Sequence, residues 1–312
     1  MPDEEKAKWE NSIAGAVAGF STVAVLHPLD VVRTRFQVSD GRGCSCPLYK
    51  NTAHAIYSIA RTEGLKGLYA GFYTSVFGST VSWGLYFFFY SRAKDRYVRY
   101  SNQPLSPGHH LASAAEAGAL VCLITNPIWL VKTRLQLQTP LHPSRPYIGF
   151  SDAVKTILKE EGWKALYKGI GPGLLLVSHA AIQFCAYEEL RKIAIKLKGR
   201  GERTASRDPD RLLNSFDYAT LGGASKITAI LLTYPYQVIR ARIQQRPTSS
   251  GMPKYMDSWH VVTETARFEG IRGFYRGITS NLLKNVPAAS ITFVVYENIL
   301  KLFKAAQSKK EK

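Results

Sequence analysis

The stretch Pro28-Leu-Asp-Val-Val-Arg-Thr-Arg35 occurs in three variants along the chain. The other two copies are Pro127-Ile-Trp-Leu-Val-Lys-Thr-Arg134 and Pro235-Tyr-Gln-Val-Ile-Arg-Ala-Arg242. A second stretch follows each copy, in the versions Glu63-Gly-Leu-Lys-Gly-Leu-Tyr-Ala-Gly71, Glu161-Gly-Trp-Lys-Ala-Leu-Tyr-Lys-Gly169 and Glu269-Gly-Ile-Arg-Gly-Phe-Tyr-Arg-Gly277. From one copy to the next, the prolines and the glutamates advance by the same number of positions to within one. Two motifs that keep one period indicate an internal triplication.

Six stretches of the chain are apolar and long enough to cross the hydrocarbon core of a membrane as helices. They are residues 11–29, 71–91, 111–131, 169–187, 218–239 and 277–296. Each contains at most one Asp, Glu, Lys or Arg, although many small residues keep the mean hydropathy of the chain at −0.12. Small residues allow close helix packing in lipid. The sequence therefore predicts an all-α membrane protein with six transmembrane helices in three pseudosymmetric repeats.

The triplication also predicts how the chain is divided. The repeats are expected at residues 9–97, 106–197 and 213–304, with a charged linker at 198–212. Each repeat is expected to carry a short amphipathic surface helix between its two spans, because apolar residues within 49–63 recur with helical spacing. Pro28, Pro127 and Pro235 fall inside spans and are expected to kink them, because proline removes a helix hydrogen bond.

Charge and composition narrow the class of function. The net charge of +18 suits contact with anionic lipids and attraction of an anionic substrate. Nucleic-acid binding is not expected, because the cations are spread along the chain without a recognised reading motif. Cys44 and Cys46 lack a second cysteine pair, so no metal site is expected. No catalytic or nucleotide-binding motif stands in a suitable context, so neither an enzyme nor a cofactor is expected.

The triplicated motifs resemble those of the mitochondrial carrier family, and the resemblance covers nearly the whole chain. The family pattern is Pro-x-Asp/Glu-x-x-Lys/Arg-x-Lys/Arg, followed by Asp/Glu-Gly-x4-aromatic-Lys/Arg-Gly. The resemblance implies a monomeric six-helix bundle with threefold pseudosymmetry. It also implies transport by alternating access through a central cavity that has one gate on each side.

Trp129 replaces the acid of the second motif copy. Within the family this is similar to a branch that carries folate, flavin adenine dinucleotide, nicotinamide adenine dinucleotide and pyrimidine nucleotides. Residues 82–90, 112–118 and 233–242 look most like the folate carriers. The resemblance implies an anionic folate of the tetrahydrofolate type as substrate, in the chloroplast inner envelope membrane. The other substrates, and the mitochondrial inner membrane, stay open as alternatives.

By the same resemblance, the first motif supplies a gate on the matrix or stromal side, called here the Pro-motif gate. Its residues are Asp30, Arg33, Trp129, Lys132, Gln237 and Arg240, with Gln37, Gln136 and Gln244 as braces. Only the first repeat keeps its acid, so Asp30 with Lys132 is the one complete ion pair expected. Trp129 and Gln237 replace the other acids, so that Arg240 faces Trp129 and no carboxylate. Three cations with one acid predict an anion-attracting, weakly held gate.

The ends of the second helix of each repeat supply the opposite gate, called here the Tyr-motif gate, on the cytoplasmic side. Its charged residues are Lys94, Glu188, Arg191 and Glu297. The family's pairing rule leaves Lys94 with Glu297 as the one pair expected between repeats.

The resemblance also implies contact points for substrate midway along the second helix of each repeat. Seven residues after the glycine that closes the second motif stand Gly78, Leu176 and Lys284. Counting back from the acid of the Tyr-motif gate, by the step that leads from Glu297 to Lys284, gives Leu175 in the second repeat instead. The register there is therefore open by one residue. A lysine at membrane depth is costly and is a functional candidate for that reason.

Five further residues are candidates for binding an anionic, ring-bearing substrate. Lys226 shares a helical face with the Pro-motif gate, although a lysine reaching to the membrane interface is the alternative. Glu116 points away from that face and either pairs with a cation between helices or holds a proton. His179 and Gln183 lie one turn apart and can meet the polar edge of a heterocycle. Trp83 can stack on a ring.

Overall fold

The computed structural model describes residues 2–40, 49–101, 106–140, 145–199, 213–247 and 254–308, and all structural statements concern these ranges. The expectations for Cys44, Cys46 and residues 200–212 of the linker lie outside the described residues.

Each repeat is built from two long helical segments with shorter helices between them. The first contains α1 (Pro2–Val38), α2 (Thr52–Thr62), α3 (Gly64–Leu68) and α4 (Phe72–Ser101). The second contains α5 (Pro107–Gln136), α6 (Phe150–Glu160), a 3₁₀ helix (Trp163–Tyr167), α7 (Ile170–Leu175) and α8 (Ser178–Gly199). The third contains α9 (Ser215–Ile243), α10 (Ser258–Glu269), a 3₁₀ helix (Ile271–Tyr275) and α11 (Ile278–Ser308). The predicted all-helical, three-repeat fold class is confirmed.

Four helical stretches of the described chain are long and apolar enough to cross a membrane by length and composition. They are Trp9–Val38, Gly108–Gln136, Trp163–Lys198 and Ile271–Phe303. The other two long helices, α4 and α9, hold many hydroxyl, glycine and charged residues, and this lowers their hydropathy. They have 30 and 29 residues, enough for a span, and occupy the matching places in their repeats.

The amphipathic helices α2, α6 and α10 pack against the motif end of the first helix of their own repeat. In the first repeat the buried side chains of Ala55 and Ile59 contact Val32. In the second, Ala153 and Ile157 join a cluster with α5, and in the third Val261 joins one with α9. Apolar residues three or four apart bury one face of each surface helix and leave the other face to solvent.

The glycines that close the second motif join each repeat to the next. Gly71, Gly169 and Gly277 have φ angles of 72°, 79° and 82°, a left-handed conformation that favours glycine. A Cβ at Gly71 would lie 3.3 Å from the carbonyl oxygen of Lys132, and one at Gly277 would lie 3.0 Å from that of Arg33. The first repeat therefore packs closely on the second, and the third packs closely on the first.

The second long helix of the middle repeat is interrupted between Leu175 and Ser178. Val177 and His179 each donate a backbone hydrogen bond to the residue three before them, as in a 3₁₀ turn. The stretch from Gly169 to Glu188 is one residue shorter than the matching stretches of the other repeats. A 3₁₀ turn rises about 2.0 Å per residue against about 1.5 Å in an α-helix, so it can span the same height with one residue fewer. This break explains why counting forward from Gly169 gives Leu176 as the contact point, whereas counting back from Glu188 gives Leu175.

Candidate functional site

The Pro-motif gate lies where the first helices of the three repeats meet. Pro28, Pro127 and Pro235 lie inside α1, α5 and α9, as expected for residues that bend these helices. Around this junction, α4 packs on α5, α8 on α9 and α11 on α1. Every pair of adjacent repeats therefore shares a long helix contact.

The Asp30 carboxylate joins all three repeats at the gate. Its Oδ2 lies 2.6 Å from Nζ of Lys132 on α5, and its Oδ1 lies 2.5 Å from Nζ of Lys284 on α11. Gln136 also donates from Nε2 to Oδ2 at 3.1 Å. The expected pair with Lys132 is present in the structure, but the expectation of a single pair is incomplete. Lys284, expected to contact substrate, is a second partner of the same carboxylate.

The other two gate arginines bond to neutral groups. Arg33 donates a hydrogen bond to the side-chain oxygen of Gln237. Arg240 donates from Nη2 to Oδ1 of Asn126 at 3.1 Å. The expectation that Trp129 faces Arg240 needs correction, because the cation over the Trp129 ring is Lys132, at 5.1 Å from the ring centroid. These two residues are three apart on α5, which places them on the same side of the helix.

The three brace glutamines are buried, and two of them form bonds between repeats. Gln136 accepts a hydrogen bond from Thr34 at 2.8 Å, and Gln244 accepts one from Thr133 at 3.0 Å. In the third motif copy, Ala241 takes the position of Thr34 and Thr133. Gln37 therefore lacks the hydroxyl donor that Gln136 and Gln244 have. Separately, the Nε2 donor of Gln37 is buried without a hydrogen-bond partner among the described residues.

The second cation of each motif copy forms a ring of contacts that the sequence analysis did not identify. Each guanidinium is buried and pairs with the glutamate of the second motif in its own repeat: Arg35 with Glu63, Arg134 with Glu161, and Arg242 with Glu269. Each also donates from Nε to a brace-glutamine carbonyl of the next repeat: Arg35 to Gln136 at 3.1 Å, Arg134 to Gln244 at 3.2 Å, and Arg242 to Gln37 at 3.0 Å. The sequence signal is the separation of arginine and glutamate, which is equal in the second and third repeats and longer by one position in the first. The ring closes the three repeats on one another.

Glu161, which lies outside the membrane spans, has a pKa that reflects the ion pairs of this ring. Burial alone would raise the pKa of Glu161, but hydrogen bonds and charge from Arg134 and Lys168 outweigh burial and lower that pKa. Because the folded-state pKa is depressed, the ion pairs contribute their full stability above the ordinary glutamate range. That contribution is lost only as the pH falls through the lowered value.

The residue before each motif proline fixes the loop that ends in the second motif. His27 bonds to the carbonyl of Ala70 at 2.9 Å, and Tyr234 donates to the carbonyl of Arg276 at 3.0 Å. Asn126 donates to the carbonyl of Leu166 at 2.9 Å. Three different side chains therefore satisfy the same kind of carbonyl, which is why no shared residue type marked the position in the sequence.

A cavity of 330 Å³ lies on the Pro-motif gate. Gate residues supply most of its lining, and the second long segment of the middle repeat adds Leu176, at the break between α7 and α8, and His179 on α8. Leu176 therefore faces this cavity, whereas Leu175 is 52% exposed. His179 bonds through Nδ1 to the hydroxyl of Thr233 on α9 at 2.9 Å. The wall holds several cations and one carboxylate, an arrangement suited to an anion.

Lys226 lies on α9 about two turns before Thr233, and is therefore farther from the gate along the helix than Thr233 is. It is half-buried, acts electrostatically on His179, and forms no ion pair within the described part of the chain. Gln183 is also half-buried, one turn beyond His179 on α8. His179 and Lys226 therefore lie near the contact between α8 and α9, and Gln183 lies farther along α8.

Gly78, expected to contact substrate, is not in the lining of the gate cavity and packs against α5 instead. A Cβ at this position would lie 3.0 Å from Cγ2 of Ile128 and 3.7 Å from Cζ2 of Trp129. The glycine therefore leaves room for the Trp129 ring at the gate.

Two further candidates lie away from the cavity. Trp83 is 62% exposed, stacks on Phe87 with ring centroids 5.7 Å apart, and lies about 140° around α4 from Gly78. Glu116 forms an ion pair with Arg96 of α4. Of the two roles considered for Glu116, the structure shows the pairing between helices.

Replacing Gly78 with valine is expected to destabilise the protein by about 1–3 kcal/mol and to reduce transport, because the added methyl groups push Ile128 and Trp129 aside. Gly84→Val is the matched control on the same helix, since a Cβ there meets no atom within 4 Å. Thermal unfolding of the purified variants measures the difference. Equal unfolding temperatures for the two valine variants would contradict the packing role of Gly78.

The Tyr-motif gate lies at the far ends of α4, α8 and α11. Arg191 lies 4.0 Å from Glu188 on the same helix. Lys94 is exposed, and it forms no ion pair with Glu297, both of which are among the described residues. The Pro-motif gate is therefore the bonded one in this structure, and the Lys94–Glu297 pair stays a prediction for the opposite state.

A larger cavity, of 580 Å³, lies where the surface segments of the first two repeats meet. Its lining includes Glu63, Arg134 and Tyr147, and the first two already belong to the arginine–glutamate ring. It contains none of the residues expected to contact substrate, so the gate cavity is the better candidate site.

Comparison with known proteins agrees with this architecture. A family model described as "Mitochondrial carrier protein" matches residues 4–101, 103–198 and 212–307. The three matches together span nearly the whole chain.

Full-length relatives are also found. The chain is 70% identical over 305 residues to "Folate transporter 1, chloroplastic" of Arabidopsis thaliana, covering 97% of this chain and 98% of that protein. It is 36% identical over 297 residues to "Nicotinamide adenine dinucleotide transporter 2, mitochondrial" of the same plant, covering 94% of this chain and 79% of that protein. It is 35% identical over 300 residues to "Nicotinamide adenine dinucleotide transporter 1, chloroplastic", also of that plant, covering 96% and 93%.

Proposed function

The chain belongs to the mitochondrial carrier family, and on that premise we propose that it transports folates across the chloroplast inner envelope membrane by alternating access. The observation that supports folate as the substrate is the 70% identity to a folate transporter, which is about twice the identity to the nicotinamide adenine dinucleotide transporters. The protein moves its substrate chemically unchanged and works as a monomer in contact with anionic lipids.

The gate cavity supports an anionic substrate. Lys132, Lys284, Arg33 and Arg240 bring four positive charges around the single carboxylate of Asp30. Folate carries carboxylates on its glutamate and a flat pterin ring, which suit these cations and the Trp129 ring respectively. The substrate enters from the side of the Tyr-motif gate, and the Pro-motif gate then opens toward the stroma.

A second candidate is nicotinamide adenine dinucleotide, since two full-length relatives carry that name. Its phosphates suit the same cations. One of these relatives is named as mitochondrial, so the mitochondrial inner membrane is the corresponding alternative location.

The purified protein reconstituted into vesicles is expected to take up labelled 5-formyltetrahydrofolate in a saturable manner, because the cavity faces solvent in one gate state. Protein-free vesicles and vesicles with heat-denatured protein are the controls. Uptake of labelled nicotinamide adenine dinucleotide without any folate uptake would overturn the proposed substrate but keep the carrier.

A further inference from the structure

We propose that Lys284 is an exchangeable gate contact: it holds Asp30 in the empty carrier, and an anionic group of the substrate takes it from Asp30. The inference deepens the proposed function and rests on it. It gives Lys284 a role different from that of Lys226, the other lysine within the spans of the third repeat.

The first step is the geometry of one carboxylate with two ammonium partners. Each oxygen of Asp30 takes one lysine, Lys132 at 2.6 Å and Lys284 at 2.5 Å. Because these residues come from α1, α5 and α11, one carboxylate ties together the first helices of two repeats and the last helix of the third. Removal of either lysine leaves the other connection in place.

The second step is the difference in access. The Asp30 side chain is 8% exposed and that of Lys132 is 14% exposed, whereas that of Lys284 is 31% exposed. Lys132 is also covered by the Trp129 ring. An entering anion therefore reaches the Lys284 ammonium before the more buried pair, and it can replace Asp30 without leaving a lysine uncompensated.

The third step is charge. With Lys284, the gate holds four cations and one carboxylate, a formal excess of +3. A substrate carboxylate that binds Lys284 reduces this excess, and it also breaks the link between α1 and α11 at the gate. Substrate binding and gate loosening are then the same event, which is how a ligand shifts a two-state equilibrium.

Lys226 provides the contrast. It lies about three turns before Gln237 on α9, about 16 Å from the gate along the helix, and has no ion pair within the described residues. It can therefore bind an anionic group without breaking a gate contact. Loss of Lys226 weakens binding alone, whereas loss of Lys284 also loosens the empty gate.

The test measures how often the gate opens. In a variant without the native cysteines, Val38→Cys places a reporter at a site that is 2% exposed and packed with Leu137 and Ala241 behind the gate. In the empty carrier, Lys284→Met is expected to speed labelling by a water-soluble thiol reagent about tenfold, the effect of losing one charged hydrogen bond. Lys226→Met is expected to keep the slow rate of the reporter variant.

Added 5-formyltetrahydrofolate is expected to speed labelling of the reporter variant but to leave Lys284→Met unchanged. For Lys226→Met the same acceleration is expected at a higher concentration. Lys284→Arg, which keeps the charge, is expected to restore slow labelling in the empty carrier and its response to folate.

Two results would overturn the exchange. One is slow labelling of empty Lys284→Met, and the other is that folate speeds labelling of Lys284→Met by the same factor as it speeds labelling of the reporter variant. If folate fails to speed labelling even in the reporter variant, the proposed substrate is wrong. The measurement on the empty carrier still decides whether Lys284 holds the gate, because it uses no substrate.

Discussion

Asp30→Asn is expected to reduce the rate of folate uptake by at least about a hundredfold. The substitution leaves Lys132 and Lys284 facing each other without a carboxylate, in a site where Asp30 itself is 8% exposed. Removing one partner of a buried ion pair costs about 3–5 kcal/mol, and each 1.4 kcal/mol is about a factor of ten. Initial uptake rates into proteoliposomes, normalised to the amount of inserted protein, measure the effect.

Asp152→Asn is the matched control for this substitution. Asp152 lies on the surface helix α6, and Arg145, its partner at 3.6 Å, is 71% exposed. Exposed pairs of this kind contribute about 0–1 kcal/mol, so uptake is expected to stay within about twofold of the parent. If Asp30→Asn and Asp152→Asn transport equally well, Asp30 does not hold the gate.

Arg35→Met is expected to lower the unfolding temperature by about 5–8 °C. The change leaves the Glu63 carboxylate buried without its bidentate partner and removes the bond to the carbonyl of Gln136. The expected cost is about 3–5 kcal/mol, which converts to this temperature shift for a chain of this size. Thermal unfolding of the purified protein in detergent measures it.

The equivalent substitutions in the other repeats are expected to cost less. Glu161 keeps Lys168 at 2.9 Å in Arg134→Met, and Glu269 keeps Arg276 at 2.8 Å in Arg242→Met. The first repeat has Ala70 at the matching position. Adding Ala70→Arg to Arg35→Met should therefore recover part of the loss. Equal destabilisation in all three repeats would show that Lys168 and Arg276 do not compensate the glutamate carboxylates.

The repeats could be read from the sequence because every copy of a motif solves the same structural problem. Gly71, Gly169 and Gly277 each need a left-handed conformation and a close approach to a neighbouring helix, and both requirements select glycine. The positions of the gate prolines follow for the same reason, since each lies inside a long helix.

The partners of individual cations were harder to predict. The pairing rule assigns one acid to one cation, but Lys284 reaches Asp30 along its flexible side chain from a position expected to face substrate. Only the three-dimensional distance between α1 and α11 shows this contact. The rule also overlooked the second cations, although their near-constant separation from a glutamate was a usable signal.

The two substrate candidates on helix α4 are not among the residues that line the gate cavity. Trp83 was selected for its aromatic ring, but it is 62% exposed and lies about 140° around α4 from Gly78, which packs against α5. Gly78 was selected by counting along one helix, and counting could not show that it packs against Ile128 and Trp129 of α5. The choice between Leu175 and Leu176 in the middle repeat could not be resolved by counting, because the 3₁₀ turn between α7 and α8 changes the rise per residue there.

Competition between substrates in one preparation tests the central claim most directly. Vesicles containing the purified protein are given labelled 5-formyltetrahydrofolate, together with increasing unlabelled folate or unlabelled nicotinamide adenine dinucleotide. The account predicts that folate inhibits uptake at a concentration at least about tenfold lower than the dinucleotide does, which corresponds to about 1.4 kcal/mol of preference. Stronger inhibition by the dinucleotide would contradict it.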